Sequence, residues 1–351
     1  MNKLFHVIIL FLLIAASSCK PEVPVAISDS ELSSHIIEQD DDIIIALGSC
    51  NKQDSPQIMW DDIINEAPDM WIWLGDNIYG DSEDPAVLSA KYEKQLQNQE
   101  YQTLLRGTKI VGTWDDHDYG KNNAGKELKS KKVSRDLLFN FLDVDKSHSA
   151  WKREGAYIAH DLVKEGIKVK VILLDSRYFR DAAPMKNKRY LKPEGADVLG
   201  EAQWLWLDSL LTNSDADIHL IGNGIQVIAE DHRFEKWANF PSARHRLFEL
   251  ISTKKISRPV LMSGDRHLSE LSAIQVDGLE LPLYDITSSG LTHSYRGFSG
   301  EENQHRIGEV IPEKSYAVLA INKSGVDSIK VELRFMGDGQ KLFQKFQLFP
   351  S

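Results

Sequence analysis

Six short apolar runs, each closing on a burst of polar residues able to bind a ligand, constrain this chain more than any other feature of it. Ile43–Leu47 runs into GSCN, Met70–Leu74 into GDNIYGD and Lys109–Thr113 into WDDHDYG. Val169–Leu174 runs into DSRYFRD, Ile218–Ile221 into GNGIQ and Pro259–Met262 into SGDRH. The runs are rich in β-branched and aromatic residues, which marks them as strands. Helical patterns fall between them at Ile58–Glu66, Ala86–Asn98, Lys132–Leu142, Glu201–Thr212 and Ala243–Ser252. Such alternation predicts an α/β fold built on a largely parallel sheet with helices packed outside. The last segments, SYAVLAIN, SIKVELRFM and KLFQKFQLF, alternate apolar and polar residues and read as antiparallel strands. Ligand sites of α/β sheets lie beyond the carboxyl ends of the strands, so the six bursts are expected to converge in space.

The residue types in the bursts point to metal-assisted hydrolysis. A di-metal site needs several anionic or imidazole ligands, one of them commonly bridging, and an open position for water and substrate. Asp76 follows Gly75, which permits a tight exit from its strand, and Tyr79 lies three residues on. Asp115, Asp116 and Asp118 surround His117, and carboxylates so crowded repel one another unless a cation sits among them. Asp265 and His267 are two apart, so an extended exit aims both the same way. Cys50 reads either as a small buried hydrophobe or as a thiolate ligand, and its place at a strand end favours the ligand. No G-x-S-x-G elbow of a serine hydrolase is present.

Charge narrows the partners. Lys plus Arg number 41 against 52 Asp plus Glu, and nucleic acid is bound through clustered cations, so no nucleic-acid-binding surface is expected. The same balance is compatible with a small phosphorylated substrate, because bound cations invert the local sign of an acidic pocket.

The N-terminus reads separately. Lys3, an apolar run from Leu4 to Ala16 and small residues before Cys19 describe a signal peptide over residues 1–18. The run is shorter than the roughly 20 residues of a membrane span. The segment AASSC resembles the bacterial lipoprotein box, which implies an exported envelope protein anchored through lipid on Cys19. Residues 19–40 are polar and Pro-containing and read as a tether, and 41–351 as one catalytic domain. The remaining cysteine, Cys50, then has no disulfide partner in the mature chain.

The set GSCN, LGDNIYGD, WDDHDYG, LDSRYFRD, GNGIQV and SGDRH, in this order, resembles the alkaline phosphatase D family of metallophosphoesterases, from about Ala46 to Thr292. The resemblance implies a metallophosphatase-like α/β/β/α sandwich of two mixed sheets flanked by helices. It implies a ferric ion (Fe3+) with calcium (Ca2+) close by. Carried over by position, Cys50, Asp76, Tyr79 and His267 correspond to iron ligands, with Asp76 bridging. Asp116 and Asp265 correspond to the second metal position, completed by Asn223 or Gln226. His117 sits where related phosphoesterases place the histidine that contacts the phosphoryl group or protonates the leaving oxygen. Arg177 and Arg266 suit a bidentate grip on phosphate oxygens, or serve as structural ion-pair partners. Two departures stand out: Asn122-Asn123-Ala124-Gly125 replaces a frequent NDAG, with one carboxylate fewer, and the chain has no room for the N-terminal β-domain of some members. The expected activity is hydrolysis of phosphate esters by metal-activated water. The alternative is a surface-anchored binding lipoprotein that keeps the fold without turnover, and a single-metal hydrolase of another ester is a further rival.

Overall fold

The computed structural model describes residues 42–323 and 328–349. The apolar leader, the AASSC box and the tether lie outside the described residues. Among the described residues, no helix is long and apolar enough to cross a membrane.

The strands are β1 (Ile43–Gly48), β2 (Met70–Leu74), β3 (Lys109–Thr113), β4 (Ile158–Lys164), β5 (Ile167–Leu173), β6 (Met185–Lys186), β7 (Arg189–Tyr190) and β8 (Ile218–Gly222). They continue with β9 (Pro259–Ser263), β10 (Ser269–Ile274), β11 (Leu283–Thr287), β12 (Arg306–Ile311), β13 (Tyr316–Lys323), β14 (Ile329–Gly337) and β15 (Lys341–Gln347). The helices are α1 (Trp60–Asn65), α2 (Pro85–Leu96), α3 (Gln99–Gly107), α4 (Asp116–Tyr119), α5 (Lys131–Phe141), α6 (Gly200–Thr212) and α7 (Pro241–Lys254).

The six expected parallel strands do not share one sheet. Three of them, β1–β2–β3, are parallel in a sheet ordered β15-β14-β13-β1-β2-β3, while β5, β8 and β9 belong to a second ordered β12-β10-β11-β9-β8-β5-β4. The antiparallel C-terminal strands extend the first sheet, with β13 paired against β1. Both sheets are therefore mixed. Period-2 alternation explains the layering: Val169, Val171 and Leu173 of β5 join the core between the sheets, and Ile172 turns outward onto α6 and α7. In β8 and β9, Leu220 and Met262 face inward and Ile221 and Leu261 outward in the same way. The outcome is two sheets face to face with helices outside each, the expected four-layer sandwich.

On the outer face of β2, Trp71 and Trp73 point the same way because they are two residues apart. Their rings meet edge to face at 5.3 Å, and Trp60 of α1 packs on both, at 5.3 and 5.5 Å. Tyr101 of α3 closes the cluster, its hydroxyl accepting the Trp73 indole N–H at 3.0 Å. This packing fixes the outer face of the strand from which Asp76 and Tyr79 emerge.

Candidate metal centre

Each ligand-type burst leaves the carboxyl end of a parallel strand, and the exits are strained. Cys50, Asp76, Asp265 and His267 all take left-handed backbone, with φ of 58°, 51°, 65° and 55°. Non-glycine residues adopt this region at a cost and cluster there at functional sites. Gly75 (φ +92°) has no such cost, and any side chain on it would strike Asp115, whose Cβ lies 2.5 Å from a Cβ built there. The β2 and β3 exits can thus approach closely.

Three overlapping groups result. One ligand atom each from Cys50, Asp76 and His267 lies within 4.8 Å of the others, and the same holds for Asp76, Asp116 and His117, and for Asp115, Asp116 and Asp265. Asp76 and Asp116 are the shared members, as a bridged pair of cation positions requires. Cys50 Sγ is 3.4 Å from Asp76 Oδ2. The Tyr79 hydroxyl lies 3.2 Å from the same oxygen and 3.0 Å from His267 Nε2. Cys50, Asp76, Tyr79 and His267 are therefore brought together, and Asp116 and Asp265 adjoin them.

The three acids of WDDHD divide their work. Asp115 pairs at 2.6 Å with Arg177, a cation from the β5 exit that local sequence could not supply. Asp118 accepts the Asp115 and Asn77 amides at 2.7 and 3.2 Å and ties two exits together. Asp116 accepts the Asn123 amide at 2.6 Å through Oδ2, while its enclosed Oδ1 has no hydrogen-bond partner. A buried carboxylate oxygen left so is costly unless it serves a ligand.

Arg177 is not among the residues that line the cleft. Its guanidinium is fully enclosed and engages Asp115 and, at 2.7 Å, Glu235, so of its two expected roles the geometry matches the structural one. Arg266 differs, for it lines the cleft beside the candidate ligands. It pairs with Glu301, donates to Gln226 Oε1 at 3.1 Å and sits 4.6 Å over the Phe234 ring. Gln226 is spent on Arg266, Glu270 and Thr287. Asn223 Oδ1 accepts the Trp237 indole at 2.9 Å and the Ile225 amide at 3.2 Å, so ligation through it would forfeit both bonds.

Sequence reasoning missed two neighbours. His293, after β11, puts Nε2 3.0 Å from the Tyr79 hydroxyl, with its ring 4.3 Å from that of His267. It falls just beyond the span of the resemblance, which ends at about Thr292, and no ligand-type pattern surrounds it in THSYRG. Asp81 holds His117 Nδ1 at 2.6 Å, leaving Nε2 as the ring nitrogen with no hydrogen bond among the described residues. The second acid of GDNIYGD was the available signal.

Electrostatics suit a cation. Burial, then Cys50 and Asp116, pushes the Asp76 carboxyl well above its usual range, and burial pushes Asp265 up to about 6 and Cys50 up to about 11. Burial also works against Asp116, yet Arg177, His117 and the Asn123 amide outweigh it and hold that carboxyl low. Burial lowers His267 and brings His293 down to about 3, so both imidazoles are neutral, the form that ligates. A cation bound here would displace protons from Asp76, Asp265 and Cys50, so binding strengthens as pH rises. Above the cluster opens a cleft of about 400 Å³ lined by His117, Asn123, Tyr190, Arg233, Arg266 and Tyr295, among others.

Among solved structures, the chain is similar to PhoD at a TM-score of 0.65, with 16% sequence identity, covering 88% of this chain and 72% of that one. It is similar to GAP50, the anchor in the inner membrane complex of Plasmodium, at 0.57 and 13% identity over 88% of each chain. A dimetal phosphatase from Danio rerio matches at 0.55 and 12% identity, over 88% of this chain and 99% of that one. At such identities these likenesses show the fold. Among curated protein sequences no significant match is found. A family model described as PhoD-like phosphatase matches residues 45–307, a span that holds every candidate ligand from Cys50 to His267 together with His293. The chain belongs to the PhoD-like phosphatase family.

Proposed function

We propose that this protein hydrolyses phosphate esters with water at the cleft above the Asp76–Asp116 cluster, using two kinds of metal ion. The observation that carries the reading is the sharing of Asp76 and Asp116 among three ligand groups at the floor of a cleft that His117 and Arg266 line. Cys50, Asp76, Tyr79 and His267 form a donor set of thiol, carboxyl, phenol and imidazole that fits a strongly polarising ion such as Fe3+. Asp76, Asp116 and Asp265 offer carboxylate oxygens that fit Ca2+. When bound, such ions supply Lewis acidity and lower the pKa of a bound water.

The chain's own groups do the rest. Hydrolysis joins a water oxygen to phosphorus and breaks the bond to the alcohol oxygen, which departs with a proton. His117 is oriented for that proton by Asp81, which fixes the ring through Nδ1. Arg266 lies at the cleft wall with a guanidinium suited to phosphate oxygens, held in place by Glu301 and Gln226. Residues 1–40 are read, from sequence alone, as a leader and a lipid-bearing tether that would hold the enzyme at the bacterial envelope.

A phenolate or thiolate on ferric iron absorbs visible light, whereas zinc, with its filled d shell, gives no such band. Purified wild type is therefore expected to be coloured, to contain iron and to release alcohol from a chromogenic phosphate ester. Tyr79→Phe and Cys50→Ser are expected to shift or bleach the band. A colourless, zinc-loaded and active protein would refute the iron assignment, and a coloured protein inert on every phosphate ester would favour a binding module.

A further inference from the structure

Between the β5 exit and α6 the chain makes an excursion that the reaction does not use. Its base is pinned by paired amides: Asp181 N donates to Asp197 O, and Asp197 N to Asp181 Oδ2, both at 2.8 Å. Beyond the base, β6 and β7 form a hairpin around Asn187 and Lys188, both with positive φ, the backbone of a tight two-residue turn. Leu191 N closes it onto Pro184 O at 2.8 Å. The hairpin is ordered and built, and residues 184–189, 191 and 192 are exposed.

Its charge runs against the molecule. The whole chain carries a formal net charge of −11, yet residues 182–193 hold Lys186, Lys188, Arg189 and Lys192 and no acid. Surface lysines elsewhere commonly find carboxylates, as Lys91 and Lys94 do on Asp54 and Lys168 does on Asp215. None of the four hairpin cations has an ion pair or a side-chain hydrogen bond among the described residues. Four unpaired like charges on so short a hairpin repel one another, a cost with no compensation inside the fold.

The hairpin's position supplies a use. Tyr190 of β7 lines the cleft with His117, Arg233 and Arg266, so the basic segment borders the entrance to the candidate metal centre. Lys192 lies near enough to Lys236 to help lower that amine, after burial, to about 8, and Arg266 contributes too. The hairpin cations therefore stand beside a cleft wall that holds Arg233 and Arg266, on a chain whose formal net charge is −11. A neutral or singly charged leaving group gains nothing from such a rim, whereas a further anion beyond the reacting phosphate would be drawn and held there.

We propose that the β6–β7 hairpin is a second anion-binding site that selects phosphate esters carrying at least one more phosphate or similarly anionic group on the leaving side. The inference rests on the phosphoesterase reading and adds a substrate class to it: polyphosphorylated soluble esters in preference to simple ones.

The test replaces Lys186, Lys188, Arg189 and Lys192 together by Gln in the full chain, with a second variant carrying only Lys186→Glu and Arg189→Glu. The Glu variant keeps both turn residues, the Gln variant keeps Asn187 and places Gln at position 188, and thermal unfolding checks that the fold survives. kcat/KM is measured at low and high salt for an aryl phosphate and for a nucleoside 3′,5′-bisphosphate, whose leaving alcohol carries the second phosphate, and inorganic tripolyphosphate binding is followed by calorimetry. The aryl phosphate is expected to be turned over within about twofold of wild type, and the bisphosphate to lose roughly tenfold at low salt, with the gap closing at high salt. Tripolyphosphate affinity should fall in parallel, and further in the Glu variant. Equal loss on both substrates, or loss on neither, overturns the proposal while leaving hydrolysis intact. Wild type that binds anionic vesicles through these residues, with bisphosphate kinetics unchanged in the variants, overturns it in favour of a membrane contact. If wild type hydrolyses no ester, the phosphoesterase reading fails, and tripolyphosphate binding alone then decides whether the hairpin holds anions.

Discussion

Asp115 and Asp116 are neighbours with opposite fates, and the difference is one that only three dimensions reveal. In WDDHD the acids are equivalent by sequence, and their crowding calls for a compensating cation. Arg177, from another strand exit, pairs with Asp115, whereas Asp116 has no ion pair among the described residues; each acid keeps one enclosed oxygen without a hydrogen bond. The candidate ligands Cys50, Asp76, Tyr79, Asp265 and His267 were legible because each follows an apolar run directly. His293 was not, since it is alone and its value lies in meeting Tyr79 and His267. The roles now separate by experiment. Asp116→Asn is expected to lose metal and activity together, whereas His117→Ala keeps its metal and loses about 10²–10⁴-fold in kcat, as for a positioned proton donor. Elemental analysis beside kinetics checks this, and a His117→Ala protein stripped of metal would make that histidine a ligand. The arginines separate similarly. Arg177→Ala leaves Asp115 buried without its cation, while Glu235 keeps Arg180 at 3.2 Å, and is expected to cost about 3–5 kcal/mol in urea unfolding. Arg266→Ala, which breaks a pair with the less buried Glu301, should cost less stability than Arg177→Ala and reduce kcat/KM; the reverse pattern would exchange their roles.

At the level of elements, the strands that deliver site residues were readable because their β-branched runs end abruptly in glycine and polar residues. Which sheet each would join was not, because period-2 burial shows that a strand has two covered faces but not which neighbour covers them. The pairing of β13 with β1 depends on residues about 270 positions apart and leaves no local mark. Helix α3 was missed between Asn98 and Thr108, although Asn98 caps it by accepting the Tyr101 amide at 2.7 Å. That cap sets Tyr101 against Trp73 and Trp60. Trp60→Ala opens this cluster and is expected to lower the unfolding free energy by about 3–5 kcal/mol, without altering the metal ligands directly. Denaturant titration measures it, and a loss below about 1 kcal/mol would show that the cluster collapses around the gap.

For the molecule as a whole, the two sheets act as one jaw each. β1, β2 and β3 present Cys50, Asp76, Tyr79 and Asp116, while β9 presents Asp265 and His267. Neither sheet carries a complete ligand set, so the site exists only when the sandwich closes, and cations gripped by both sheets would tie folding to metal binding. The sequence resemblance anticipated this assembly, and the structure adds why it closes: glycine exits, left-handed ligands and a buried Arg177 that lets the acids approach. The most direct measurement is the release of alcohol from a phosphate ester by the purified protein as isolated, after exhaustive chelation, and after return of iron and calcium. Turnover should vanish with the metals and return with them, alongside the visible band. Undiminished hydrolysis by a protein shown to be free of metal would contradict the assignment of these residues to a metal-dependent phosphoesterase centre.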